Sequence, residues 1–300
     1  MPSFSQTESN IIRLFPIGAS FVYEGKSYRV TLCDKPTTPK GECKTDVYIK
    51  AASDQDEKEF KISVKQTNAD FLENKMKLER AYELFGDQAE QILSQSIQRI
   101  LPDFNNQPLV FFSSYRKTAA RTIKLGWKFE LCNKVQGDLS GELLLSEQQI
   151  IDVYSGSNLP ASKKNAIVNG IIRPNSGIAN FMLVVNPEEK LTAQKCINSL
   201  VPINEYIKRN NCKIYFACKA LNYRADDDKW DGDRPLAVYV DWSIDKNGKI
   251  TAELVFDHPL CTKGNEVGTR VVSILKKMHI NYRNFNDLKQ HLDPTIKILK

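Results

Sequence analysis

Histidine is scarce in this 300-residue chain: His258, His279 and His291 are all it has, and all come late. With none in the front half, a histidine-centred general base finds no support there. The seven cysteines, Cys33, Cys43, Cys132, Cys196, Cys212, Cys218 and Cys261, contain no CxxC pair. Zinc ribbons and fingers need closer Cys/His pairs, so a structural zinc site is not expected, and scattered thiols suit a reducing compartment. No apolar run reaches the length of a membrane span, and the opening MPSFSQTESNIIRLF lacks a basic segment followed by an apolar core. The expectation is a soluble, cytoplasmic protein with no membrane partner. GxGxxG and Walker loops are missing too, which leaves a nucleotide-dependent metabolic enzyme without support. Internal repeats and low-complexity tracts are also lacking.

What is present is an ordinary globular composition, 41% hydrophobic and 26% charged, with 42 basic against 36 acidic residues. The net charge of +6 is compatible with nucleic acid without demanding it. Residues 41–86 organise the reading. Asp46 to Lys50 predicts a strand, the acidic run Ser53 to Glu59 a turn, and Phe60 to Lys65 a second strand. Alternation puts Phe60, Ile62 and Val64 on one face and Lys61, Ser63 and Lys65 on the other. Folding about Gln55 and Asp56 sets Asp46 opposite Lys65, so that an acid, a hydroxyl and an ammonium converge at one end of the hairpin. From Ala69 to Phe85 the apolar residues Phe71, Leu78, Tyr82 and Phe85 recur at helical spacing, and Glu79 borders the buried side. Glu79 is therefore the expected second carboxylate, with Glu73 and Glu42 as its substitutes.

Lys44-Thr45-Asp46, a hairpin, then Ser63-Val64-Lys65 resembles the PD-(D/E)xK nuclease motif, above all that of type II restriction endonucleases. Ser63 departs from the pattern by standing where an acid is usual. One subgroup of these enzymes has the same Ser-x-Lys and takes a Glu from the following helix fourteen positions after the Lys, which is the spacing of Glu79 from Lys65. A second subgroup keeps the Lys-Thr-Asp opening with an amide in place of the acid. The resemblance is confined to residues 41–86. It implies an α/β fold with a mixed central sheet flanked by helices, a β-rich C-terminal elaboration, and magnesium-dependent hydrolysis of double-stranded DNA by a homodimer. It implies these roles: Asp46 and Glu79 as metal ligands with the carbonyl of Val64, Lys65 orienting the attacking water, and Ser63 holding a water or Glu79. A structure-specific repair or phage nuclease of the same fold, and a non-catalytic DNA-binding protein with a degenerate core, are the rival expectations.

Along the remaining chain, helices are expected at Gln6–Phe15, Gln88–Ile100, Ser146–Tyr154, Leu191–Lys208 and Val271–Met278. Strands are expected at Phe21–Tyr23, Ser27–Cys33, Leu109–Phe112, Thr122–Cys132, Phe181–Val185, Lys213–Leu221, Leu236–Trp242 and Ile250–Phe256. The Ser-, Asn- and Gly-rich stretch from Gly156 divides a catalytic core, 1–155, from a C-terminal elaboration, 156–300. Arg116, Lys117, Arg121 and Lys124 form the densest basic patch of the front half, suited to phosphates. The loop from Asn222 to Arg234 supplies Asn222, Arg224 and Arg234, side chains that read base edges, among five acids that repel phosphate. Its triple Asp lacks EF-hand spacing.

Overall fold

A computed structural model describes residues 4–67, 71–73, 76–186 and 188–300. In chain order it runs through α1 (Phe4–Arg13), β1 (Ser20–Tyr23), β2 (Lys26–Asp34), β3 (Val47–Ala52), β4 (Glu57–Gln66), β5 (Phe71–Glu73), α2 (Leu78–Phe85), α3 (Ala89–Arg99) and α4 (Leu101–Asn105). Next come β6 (Val110–Phe111), β7 (Thr122–Cys132), β8 (Ser140–Glu142), α5 (Glu147–Ser155), α6 (Ala161–Lys164), β9 (Ile167–Val168), β10 (Ile171–Ile172) and β11 (Phe181–Val185). Then follow α7 (Ala193–Asn198), β12 (Val201–Pro202), α8 (Ile203–Arg209), β13 (Tyr215–Arg224), β14 (Lys229–Trp230) and β15 (Val238–Ile244). The last elements are β16 (Ile250–Val255), α9 (Gly264–Lys277), α10 (Leu288–His291) and β17 (Ile298–Leu299).

Two compact units interleave along the chain. The first holds Met1–Asp70, Glu83–Gly86 and Leu145–Lys213; the second holds Phe71–Tyr82, Asp87–Leu144 and Ile214–Lys300. This differs from the expected division at 155/156, which falls inside the first unit. The chain leaves that unit after β4, re-enters it briefly at Glu83–Gly86 and returns with α5, so no single boundary separates the two.

The first unit is a six-stranded mixed sheet, β1-β2-β3-β4-β11-β12, antiparallel except for β11 beside β4. Its core forms on one face of the sheet. Phe60, Ile62 and Val64, the face expected from the alternation of β4, pack with Ile11 and Phe15, and with Leu183 and Val185 of β11. Helix α1 turns Thr7 and Ile11 inward four residues apart, the spacing that keeps side chains on one helical face, and Phe15, just past the helix end, is buried with them. The other face is covered more thinly, by Leu32, Tyr48 and Val168.

The second unit is built on the long, almost wholly buried strand β7, with β13 and β15 antiparallel to it. Residues expected as helix depart here. Phe71–Glu73 is β5, paired antiparallel with β7 at Cys132 and Leu131. The open ladder of β7 outweighs local helical periodicity, and α2 keeps only Leu78–Phe85. The expected helix start at Ala69 lies outside the described residues. Leu191–Lys208 likewise splits, because Val201 and Pro202 pair with Met182 and Phe181 of β11 between α7 and α8. The loop expected from Asn222 onward instead continues β13 and turns into β14, with Tyr223 opposite Trp230. No helix among the described residues is long and apolar enough to cross a membrane.

Candidate functional site

The β3–β4 hairpin turns one residue earlier than expected. A tight turn runs from Ser53 to Asp56, with Ser53 N–H donating to the Asp56 carbonyl at 2.8 Å and the Ser53 hydroxyl to the Asp56 carboxylate at 2.6 Å. Tyr28 adds its hydroxyl to the same carboxylate at 2.8 Å. The ladder therefore pairs Val47 with Ile62 and Ala52 with Glu57, which carries Asp46 toward Ser63 rather than opposite Lys65. A slip of two residues preserves the faces, since side chains alternate with period two.

Beyond Val47 the strand β3 ends, and Asp46 closes the ladder with both backbone and side chain. Its N–H donates to the Ile62 carbonyl at 2.8 Å. Its carboxylate Oδ2 accepts from the Val64 N–H at 2.7 Å and lies 3.4 Å from the Ser63 hydroxyl. Oδ1 accepts no hydrogen bond among the described residues. Burial pushes the Asp46 carboxyl above the usual carboxylate range, opposed by the Lys65 charge and the Val64 N–H, and Glu8 pushes it further the same way. Ser63 is 2% exposed and Lys65 half-buried, with no ion pair to Lys65 among the described residues.

Glu8 is the residue that sequence reasoning missed. It follows Thr7 on α1, and the Thr7 hydroxyl accepts from Gln66 Nε2 at 2.8 Å, which ties this turn of the helix to the end of β4. The Glu8 carboxylate pairs with Lys35, just past β2, and Lys35 in turn is held charged by Glu8 first and then by the fields of Asp46 and Glu42. The only signal in the sequence was position, one residue beyond the buried face of an amphipathic helix. Among the described residues no three His, Cys, Asp or Glu side chains come together as a ready-made metal cage.

The other candidates separate. Glu79 is exposed on α2 and belongs to the second unit, so a site built within the first unit does not include it. Glu73 is engaged by Arg80, at 3.1 Å from Nε and 2.9 Å from Nη2. Glu42 is exposed in the loop before Asp46.

That loop is held from behind. Lys44 N–H donates to the Gly177 carbonyl at 3.0 Å, and a Cβ at Gly177 would stand 1.9 Å from the Lys163 carbonyl oxygen and 2.9 Å from Cys43 Cβ. Lys163 is itself fixed, with its amine 2.6 and 2.7 Å from the two oxygens of Glu83. Gly177→Ala is expected to cost about 1–3 kcal/mol by overpacking, read as a lower urea midpoint, and to shift the segment that carries Asp46. An unchanged midpoint would show that this loop yields freely.

The expected DNA contacts all fall in the second unit and are largely neutralised there. Arg121 is bidentate on Asp226, Arg224 binds Asp231 and lies 3.7 Å from Asp227, and Arg116 pairs with Asp138 at 3.0 Å. Asn222 turns its amide nitrogen to Asp231 at 3.2 Å. The acids expected to repel phosphate thus take up the arginines beside them. Lys124 is a clear correction: it is 4% exposed, with its amine 5.1 Å from the Phe111 ring centre and 5.2 Å from that of Trp127, and desolvation lowers its pKa to about 8. β7 is buried on both faces along nearly its whole length, so Lys124 lies where phosphate does not reach. Lys117 is exposed and Arg234 half-buried.

No protein-family model, curated protein or solved structure matches this chain. The functional reading therefore rests on the geometry around Asp46.

Proposed function

We propose that this chain is a magnesium-dependent, sequence-specific double-strand DNA endonuclease of the type II restriction class, acting at the Asp46 end of the β3–β4 hairpin. The observation that carries the reading is the division of labour in one carboxylate. Oδ2 of Asp46 is pinned to Val64 and Ser63, Oδ1 is left without a hydrogen bond among the described residues, and an ammonium without an ion pair among them, Lys65, follows on the same strand. A mixed sheet flanked by helices supports it, being the architecture that the resemblance to PD-(D/E)xK enzymes implies.

The donors at hand fit a hard cation. Asp46 and Glu8 offer carboxylate oxygens, the nearby Cys43 thiol is held protonated by burial and by the charge of Asp46, and oxygen-rich sites with few protein ligands are what magnesium accepts. Magnesium, when bound, supplies Lewis acidity toward the phosphate. The protein's own groups do the rest. Val64 N–H and Ser63 fix the Asp46 carboxylate so that its free oxygen faces one way. Lys65 offsets the charge that grows on the phosphate oxygens and orients the attacking water, a role suited to a compact cation. Glu8 joins once it is released from Lys35.

The test is incubation with unmethylated phage DNA and magnesium. Discrete fragments are expected, and EDTA is expected to abolish them. Cuts that follow branches or flaps instead of sequence would move the reading to a structure-specific nuclease. Binding without cleavage in either magnesium or manganese would move it to a non-catalytic DNA-binding protein, the reading that Ser63 in the place of an acid favours. A palindromic site calls for a twofold dimer, which sedimentation of the free protein checks.

A further inference from the structure

Sequence reasoning placed the basic patch of the second unit on arginines that prove to be occupied. A different surface of that unit is better equipped. It joins two segments far apart in the chain. The parallel ladder of β17 on β6 sets Ile298 beside Val110 and Leu299 beside Phe111. Phe112 N–H then donates to the Leu299 carbonyl at 2.8 Å, and the Ser113 hydroxyl to the Lys300 carbonyl at 2.7 Å.

At the centre of this junction the rings of Phe112 and Phe285 meet at 5.4 Å, and the Lys289 amine stands 4.5 Å above Phe112. An exposed tyrosine lies three residues along the chain from each of these rings, so each is within about 10 Å of backbone from its phenylalanine. Tyr115 is 47% exposed and Tyr282 is 49% exposed. Each carries an arginine against its ring, Arg116 at 5.3 Å and Arg283 at 5.4 Å. The two tyrosines are held on tight backbone. Tyr115 and Thr118 exchange a pair of 2.9 Å backbone bonds around the Arg116–Lys117 turn, while Asn281 N–H and Asn284 Nδ2 bond Asn284 Oδ1 and the His279 carbonyl at 2.8 and 2.9 Å. Lys117 and Lys289 are exposed and have no carboxylate partner among the described residues, and Asp138 pairs with Arg116.

From this juxtaposition we propose that the second unit binds single-stranded nucleic acid through Tyr115 and Tyr282, whose chain segments meet at the Phe112–Phe285 contact beneath; Phe285 itself is buried. Bases stack on the two tyrosines, and Lys117 and Lys289 take backbone phosphates. Duplex offers a phosphate backbone but keeps its base faces stacked inside, so exposed tyrosine rings flanked by cations favour a single strand. This inference does not depend on Asp46 being catalytic.

The test is fluorescence anisotropy in EDTA with the full chain and a labelled oligothymidylate of about ten nucleotides, with an oligouridylate beside it. Wild type is expected to bind both, and affinity is expected to fall with salt. Tyr115→Ala and Tyr282→Ala are each expected to weaken binding about tenfold. The Tyr→Phe versions keep the ring and are expected to bind as wild type, which separates stacking from a fold defect. Lys117→Met with Lys289→Met is expected to reduce the salt slope by about 1.4, since each phosphate contact on a single strand contributes about 0.7. Failure of wild type to bind either oligonucleotide overturns the proposal. So does a Tyr115→Ala/Tyr282→Ala double variant that binds as tightly as wild type. Because cleavage is not measured, either result leaves the nuclease reading untouched.

Discussion

Asp46→Asn is expected to reduce magnesium-dependent cleavage by about a thousandfold or more while the folded protein becomes more stable, not less, at neutral pH. The loss of activity follows from removing the charge that holds the cation, which no neighbouring group replaces. The gain in stability follows from the direction of the pKa shift. Burial raises the Asp46 carboxyl above its unfolded value, more than Lys65 and the Val64 N–H lower it. A carboxyl raised on folding favours the folded state fully below its unfolded pKa, and that contribution is lost as pH rises through the folded pKa. At pH 7 the ionised group therefore opposes folding in the metal-free protein. Asparagine is uncharged and keeps an oxygen for the Val64 N–H. A cation restores the balance: magnesium at about a hundred times its Kd is expected to add about 2.7 kcal/mol to wild type and nothing to the variant. Thermal melts of both proteins with and without magnesium check this. At magnesium well below its Kd, protons compete with the cation for Asp46, so activity is expected to begin to fall on acidification above the range of an ordinary carboxylate, and saturating magnesium is expected to oppose that fall. Equal magnesium stabilisation of wild type and Asp46→Asn would remove this carboxylate from the site.

Glu8→Gln is expected to lower cleavage about a hundredfold and to weaken magnesium stabilisation, whereas Glu79→Gln is expected to stay within about twofold of wild type. Glu8 contributes to the field that Asp46 feels and Glu79 is an exposed residue of the other unit. Breaking the Glu8–Lys35 ion pair is a side effect of the first change, so Lys35→Gln is the control. It breaks the same pair, typically worth under about 1 kcal/mol where partly exposed, but leaves the carboxylate free, and it is expected to bind magnesium at least as well as wild type. If Lys35→Gln loses as much activity as Glu8→Gln, the pair holds α1 in place and the carboxylate is not a ligand. If Glu79→Gln is the one that fails, the second carboxylate is the one that the Ser-x-Lys spacing indicates.

These two experiments divide along what was legible in the residues. The strand–turn–strand of residues 46–66 and its buried face were readable because burial of Phe60, Ile62 and Val64 repeats with the pleat, a property of a few neighbouring residues. The proximity of Asp46 and Ser63 was readable for the same reason, since both sit on one hairpin. The second carboxylate was not. Glu79 kept its spacing, but its helix begins only at Leu78, with Phe71–Glu73 paired instead with β7, a strand some sixty positions further on. Arg121 and Arg224 looked free until Asp226 and Asp231 took them, and Lys124 looked exposed until β7 became an interior strand.

By itself, then, the sequence determined the local pattern of this protein: where the strands alternate, where the hairpin turns to within a residue, and which acid and hydroxyl share its end. Only the tertiary structure decided which distant charges those groups feel, which arginines are taken up by carboxylates, and that Phe112 meets Phe285 to join the segments that carry Tyr115 and Tyr282. The reason is physical. Side-chain periodicity is set by backbone geometry over a few residues, while ladder partners and ion pairs are chosen among all the open edges and charges that the folded chain brings within reach.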